Sequence, residues 1–329
     1  MKLIERKVNG LFVTVAVALV MTPQAASQSN NRSDRERIGL MGPVKSVTTE
    51  TESPGKPRMK TKTVTFNASG KKTEEINYAE SGAIASRMTY SYDPKGNLVD
   101  ESQFDINGAS LGQIRHNYDP NGRETERLSY FADGQLNSKT TFVYDSAGRL
   151  SEETHKETKG WFDGTIQYVY DEQGRLVNKK SNRSGALGSA RSDGAFRVVA
   201  TYRYDDRGLL VEETEPGITG ERRTRYTYDS SGKLTRKVSS SLLPRTVEYD
   251  DKGNPTKEFG EGSRYGSVVD PETTYRYQFD ARGNWVQQTI TETTMKQTTA
   301  RVPNTSLSYP TRERSTEVIQ TNHRMIIYY

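Results

Sequence analysis

Phe142-Val143-Tyr144-Asp145-Ser146-Ala147-Gly148-Arg149-Leu150 is a phrase that the chain repeats. Residues 90–98, 168–176, 202–210 and 226–234 follow the same order. Looser copies sit at Phe66-Asn67 with Gly70, Tyr118-Asp119 with Gly122, Tyr249-Asp250 with Gly253 and Phe279-Asp280 with Gly283. From Phe66 to Tyr92, Tyr118, Tyr144 and Tyr170 each step is 26 residues, and the later steps are 34, 24, 21 and 30. A weaker echo falls midway, at Tyr78 with Gly82, Phe104 with Gly108 and Tyr130 with Gly134. The underlying beat is therefore about 12 to 14 residues, one strand of about eight and a turn of about four. A repeat of this kind decides the fold argument, because one unit cannot bury its apolar face alone.

Each part of the phrase has a physical task. Tyr-x-Tyr places two rings on one side of a strand, since side chains alternate along it. In Asp-x-x-Gly the carboxylate can accept from the backbone two residues on, and the glycine can take the positive φ that closes a type I turn into a bulged hairpin. The Leu two residues after the glycine opens the return strand. Polar runs such as Ser151-Glu152-Glu153-Thr154 follow it, and nothing carries the 3.6-residue period of an amphipathic helix. The expectation is all-β: an antiparallel meander of hairpins, about 18 to 20 strands, in one long curved or coiled sheet that stays open or closes only partly.

Residues 1–27 read as a signal peptide. Lys2, Arg6 and Lys7 precede an apolar run from Leu11 to Met21 that is too short to span a bilayer, and Ala25-Ala26-Ser27 is a small-residue cleavage pattern. A secreted or periplasmic location follows, with no stable membrane insertion after cleavage. The chain has no cysteine, so in that compartment its stability must come from sheet pairing and packing. Residues 28–42 read as a disordered linker. Residues 43–329 read as a single β domain, with repeats over about 60–285 and a C-terminal cap over 286–329, where Gln287 to Thr299, Ser315 to Gln320 and Arg324 to Tyr329 are strand candidates. The Ser-, Gly- and Arg-rich stretch 182–194 reads as an exposed loop.

Composition narrows the function classes. Removing residues 1–27 would take three basic residues and Glu5 from the 47 and 42 of the full chain, leaving a net charge of +3, and the charges are interspersed. No dense basic patch supports nucleic-acid binding. Leu, Ile, Val and Phe together make roughly 18% of the chain, a level that can mark disorder when net charge is high. Here net charge is low and 19 tyrosines supply large half-buried surfaces. The core should therefore be thin and aromatic.

The repeated Tyr-Asp-x-x-Gly-(Arg/Asn/Lys)-Leu resembles the YD repeat of the Rhs family over roughly residues 43–285. The resemblance implies long β-sheets of the kind that coil into hollow shells in large bacterial toxins and in teneurin-type surface proteins. It also implies an envelope or extracellular location and a scaffold or enclosing role. The chain lacks an Asp-Pro-x-Gly-Leu core motif after the repeats and is similar to small stand-alone bacterial repeat proteins.

No catalytic constellation stands out, and no enzyme activity or cofactor is expected. His116, His155 and His323 lack metal-ligand spacing. His116 stands where other units carry Tyr or Phe and reads as a ring substitute, while His155 and His323 read as exposed polar positions. The recurring aspartates read as turn caps, since each turn offers too few oxygens for calcium. The rings read mainly as core. Trp161 and Trp285, at the edges of the pattern, are the candidate ligand-binding residues. The function expected is a non-catalytic secreted scaffold that binds a protein partner or glycan at the cell envelope. The alternatives are a shell piece or immunity partner of an Rhs-type toxin system, or a carbohydrate-active enzyme with two carboxylates facing one groove.

Overall fold

The repeating turn is built as its residues require. At Asp145 the backbone N–H donates to Arg149 O at 2.8 Å, and Gly148 N donates to Asp145 O at 2.9 Å. Asp145 Oδ1 accepts from Ala147 N at 3.0 Å and from Arg149 N at 2.8 Å. Gly148 closes the turn with φ of 77°, a conformation that costs a side-chain-bearing residue roughly 1–2 kcal/mol. The same pair of backbone bonds recurs at Asn67 and at every later aspartate of the motif. The aspartates are thus turn caps.

The computed structural model describes residues 32–160, 163–182, 194–217, 220–240, 244–260, 271–301 and 308–329. The proposed signal peptide, Trp161 and most of the 182–194 loop lie outside these residues. Twenty strands follow in order: β1 Val44–Glu52, β2 Met59–Phe66, β3 Lys72–Tyr78, β4 Ile84–Tyr92, β5 Leu98–Phe104, β6 Ser110–Tyr118, β7 Glu124–Phe131, β8 Leu136–Tyr144, β9 Leu150–Glu157, β10 Gly164–Tyr170, β11 Leu176–Ser181, β12 Arg197–Tyr204, β13 Leu210–Gly217, β14 Gly220–Tyr228, β15 Leu234–Ser240, β16 Arg245–Tyr249, β17 Pro255–Gly260, β18 Glu272–Phe279, β19 Trp285–Arg301 and β20 Ser308–Tyr328. Each pairs antiparallel with the next, and the motif turns gather along one rim.

The expectation of an open or partly closed sheet is corrected by the ends. β20 pairs with β19 from Gln287↔His323 to Arg301↔Ser308, and also with β1 from Val44↔Tyr328 to Glu52↔Thr321. The sheet is therefore a closed 20-stranded barrel. The physical reason lies in the last strand, which is one continuous 21-residue element where the sequence suggested two short ones. It pairs with β1 on one side and β19 on the other and so joins the two ends of the meander, which removes the open-sheet hazard around the ring. Residues 286–329 thus complete the ring instead of covering an edge.

From residue 32 the stretch expected as a linker is ordered against the motif rim. A one-turn helix, α1 (Asp34–Arg37), has a capping box between Ser33 and Glu36. Arg35 N donates to Gly70 O at 3.0 Å, and Met41 exchanges hydrogen bonds with the Asn284 side chain. Leu40 is 1% exposed in a cluster with Val44, Val47, Val64 and Phe66. A second cluster, on β11 to β14, holds Leu176, Ala200, Tyr202, Leu210 and Tyr226. The core is thus thin and divided, partly aromatic as expected and partly aliphatic.

Closure makes a testable demand. A chain ending at residue 301 loses β20 and exposes two edges, so it should elute as oligomers or aggregates in size-exclusion chromatography where the full chain elutes as one species.

Candidate functional site: the inner wall

Register carries one row of side chains around the barrel. Tyr90 lies opposite Glu101, His116 opposite Arg127, Phe142 opposite Glu153, Tyr168 opposite Lys179, Tyr202 opposite Glu213, Tyr226 opposite Lys237 and Tyr275 opposite Ile290. A curved sheet crowds side chains on its concave face and spreads them on its convex one. His116 and Tyr202 are 7% exposed and Tyr226 is 6% exposed. On the opposite face, Arg115, Arg203 and Arg225 are 58%, 68% and 63% exposed. The aromatic row is therefore the inner wall, as expected for most of the rings.

Tyrosine hydroxyls on this wall meet carboxylates of the preceding strand. Tyr168 donates to Glu153 at 3.0 Å, Tyr226 to Glu213 at 3.1 Å and Tyr275 to Glu258 at 3.1 Å. Burial, followed by the nearby Glu258 charge, pushes the Tyr275 hydroxyl up to about 12. The same causes, with Glu213 as the charge, raise Tyr202 and Tyr226 above the ordinary tyrosine range. These rings are held as neutral donors with fixed orientation.

The second tyrosine of each motif works at the rim. Ladder pairing between β5 and β6 ends at Asp100↔Arg115, which leaves the carbonyl of Leu98 without a strand partner. Tyr118 Oη donates to it at 2.8 Å. Tyr144 does the same for Glu124 at 2.8 Å, Tyr170 for Leu150 at 2.8 Å, Tyr204 for Leu176 at 2.9 Å and Tyr228 for Leu210 at 2.8 Å. The arginine after the turn glycine is held by its own aspartate and stacks on the next tyrosine. Arg149 Nε donates to Asp145 at 2.8 Å, and its guanidinium carbon lies 4.5 Å from the centre of the Tyr170 ring.

His116 takes the ring position of this row, as expected, but with polar partners on both ring nitrogens. Its Nδ1 lies 2.6 Å from Glu124 and its Nε2 3.1 Å from Glu101. Arg127 forks the same Glu124 at 2.9 and 2.7 Å. Burial alone would lower the imidazole pKa, but the hydrogen bonds to Glu101 and Glu124 outweigh it and hold the ring up at about 9. The signal missed was Glu124 eight residues downstream, which the bulge at Asn117/Tyr118 brings onto the same side. His155 and His323 are also less exposed than expected, at 21% and 18% of side-chain surface. His155 Nδ1 lies 2.9 Å from Thr140 Oγ1.

Of the two tryptophans expected as ligand residues, Trp285 is placed at the start of β19, half-buried, with its ring 6.2 Å from that of Tyr277. The Arg324 guanidinium lies 3.4 Å from its ring centre. Trp161 lies outside the described residues, so the two are not brought together here. Among the described residues no group of acidic, His or Cys side chains is arranged to hold a metal.

Both faces carry charge at mid-strand. Glu101, Arg127, Glu153, Lys179 and Glu213 mark the inner row, and Glu74, Arg87, Asp100, Arg115 and Glu126 the outer one. Outer pairs such as Arg87–Glu74 at 2.6 Å and Arg225–Glu212 at 2.9 Å are exposed and worth little singly.

Two outcomes follow from this geometry. Tyr118→Phe and Tyr228→Phe should each lower unfolding free energy by about 1 kcal/mol in urea titrations, and the losses should add in the double variant because the sites are far apart. The raised pKa of His116 means that its contribution to stability is fully present below the ordinary value of 6.5 and is lost as pH rises through about 9. His116→Gln should therefore destabilise most near about pH 6, with a penalty that shrinks toward about pH 10 in thermal melts.

No protein-family model and no curated protein matches the chain. Among solved structures, a porin-like protein from Bacteroides uniformis is similar over 87% of this chain and 99% of its own, at 12% identity and a TM-score of 0.35. A Tc holotoxin pore of Photorhabdus luminescens is similar over 82% of this chain and 18% of its own, at 13% identity and a TM-score of 0.29. The TcdB2–TccC3 complex is similar at the same identity and TM-score, over 82% of this chain and 19% of its own. The chain spans about a fifth of those toxin chains. Likeness of this depth carries no argument about activity, and the resemblance to the YD repeat rests on the motif itself.

Proposed function

We propose that the protein is a non-catalytic, secreted β-barrel scaffold that binds a glycan or a protein partner at the cell envelope through its inner wall. The observation that carries this reading is the wall itself: a closed ring in which aromatic side chains lie among carboxylates and cations, with hydrogen bonds between neighbouring strands. Aromatic faces flanked by fixed polar groups suit stacking on sugars or on a partner's side chains. A ring of twenty strands has a perimeter of about 95 Å, larger than the barrels whose interiors their own side chains can fill.

Two features weigh against other readings. A transmembrane barrel needs an apolar outward band about 25 Å tall, whereas the described outer row carries Glu74, Arg87, Asp100, Arg115 and Glu126 at mid-strand. A glycosidase needs one carboxyl held protonated near neutral pH. Among the described carboxylates, every resolved shift is downward, as at Glu124, where hydrogen bonds from His116 and Arg127 overcome the effect of burial, and at Asp119, where the Arg123 backbone N–H is the largest cause.

The test is a glycan array and an envelope-extract pull-down with the chain lacking residues 1–27. Saturable retention of one glycan class or one protein, without turnover of the retained material, is the expected result. Absence of any retention together with hydrolysis of a polysaccharide would reject the scaffold reading in favour of an enzyme.

A further inference from the structure

We propose that the inner wall beside Trp285 is a binding site for a sugar carboxylate, with Arg324 as the group that receives it. The proposal deepens the reading of the inner wall as a binding surface and rests on it.

Several cations of the wall meet carboxylates. Lys62 meets Glu75 at 2.6 Å, and Arg127 meets Glu124 at 2.7 Å. Arg324 differs. Among the described residues Arg324 forms no ion pair, and its Nε is buried without a hydrogen-bond partner. The guanidinium plane is held 3.4 Å from the Trp285 ring centre. Burial pulls its pKa down to about 10, so it is still charged at neutral pH. A cation–π contact compensates such a charge only in part. Leaving a desolvated cation unpaired costs stability, and an anion bound beside it would offset that cost.

The surroundings define the rest of the ligand. Two residues along the same face, Asn322 Nδ2 donates to Gln288 Oε1 at 2.8 Å, and Thr51 and Gln320 donate to Asn322 Oδ1 at 2.9 and 2.8 Å. Gln288 Nε2 donates to Tyr277 Oη at 3.0 Å. This is a row of neutral amides and hydroxyls, able both to donate and to accept, next to one fork-shaped cation. Arginine binds planar carboxylates in bidentate fashion. Neutral amides suit hydroxyl groups on the same molecule. A uronic acid presents both, with an apolar ring face for the aromatic pair Trp285 and Tyr277.

The experiment uses tryptophan fluorescence of the chain carrying Trp161→Phe, which leaves Trp285 as the reporter. Titrant arms are galacturonate, galactose as the neutral counterpart, and acetate as the bare carboxylate. Galacturonate should change the emission saturably, and galactose and acetate should bind at least about tenfold more weakly. Arg324→Gln should weaken galacturonate binding by at least about tenfold while its melting temperature stays level or rises, because an unpaired buried charge is gone. Arg324→Lys keeps the charge without the fork and should bind with intermediate strength. Unchanged galacturonate binding in Arg324→Gln overturns the proposal. So does a marked fall in its melting temperature, which would make Arg324 a structural residue. Acetate binding as tightly as galacturonate overturns the sugar assignment. Galacturonate binding through Arg324 with no retained glycan or protein in the array and pull-down would leave this site standing and reject the scaffold reading. A retained partner indifferent to Arg324→Gln would do the reverse.

Discussion

The structure depends on how a strand ladder that ends early is completed at the motif rim. Pairing between successive hairpins stops short of the turn, and the exposed carbonyl, as at Leu98, would be costly if nothing met it. The tyrosine hydroxyl at the end of the next strand supplies the missing donor. Where an arginine follows the turn glycine, as at Arg123, Arg149 and Arg175, it covers the next ring, so those hairpins are fixed to their neighbours by an oxygen and by a cation. This is why a chain so poor in aliphatic residues can hold a long sheet. The linkage is local, repeated and independent of a thick core.

The same arrangement gives the wall its chemistry. Tyr-x-Tyr places one ring at the rim, where its hydroxyl satisfies backbone, and the other deeper, where its hydroxyl meets a glutamate. The deeper positions form a row of aromatic and charged side chains, and His116 enters that row as a cation between two carboxylates. Most inner charges are thus neutralised by strand neighbours, which favours a stiff surface over a reactive one. Arg324 breaks the pattern because β19 and β20 lie beyond the repeats and carry Gln, Asn and Thr where the repeats carry Glu.

Much of the fold was legible because its information is short-range. Asp145 to Gly148 contains everything needed for one turn, and the 26-residue step predicts a hairpin pair for each unit. The site was less legible. Glu124 pairs with His116 only through a bulge, and bulge positions shift which residues face one another. Leu40 and α1 carry no repeat signal, yet the capping box from Ser33 to Glu36 was present to be read.

By itself the sequence determined the all-β class, the turn chemistry, the sharing of one face by paired rings and a count of about 18 to 20 strands, because each follows from backbone preferences within a few residues. Tertiary structure alone decided that the sheet closes, since the bond between β1 and β20 joins residues near opposite ends of the chain and no local pattern records it. It also decided which charges find partners. Register across strands places carboxylates beside His116 and none beside Arg324, and register is set by the assembled ring.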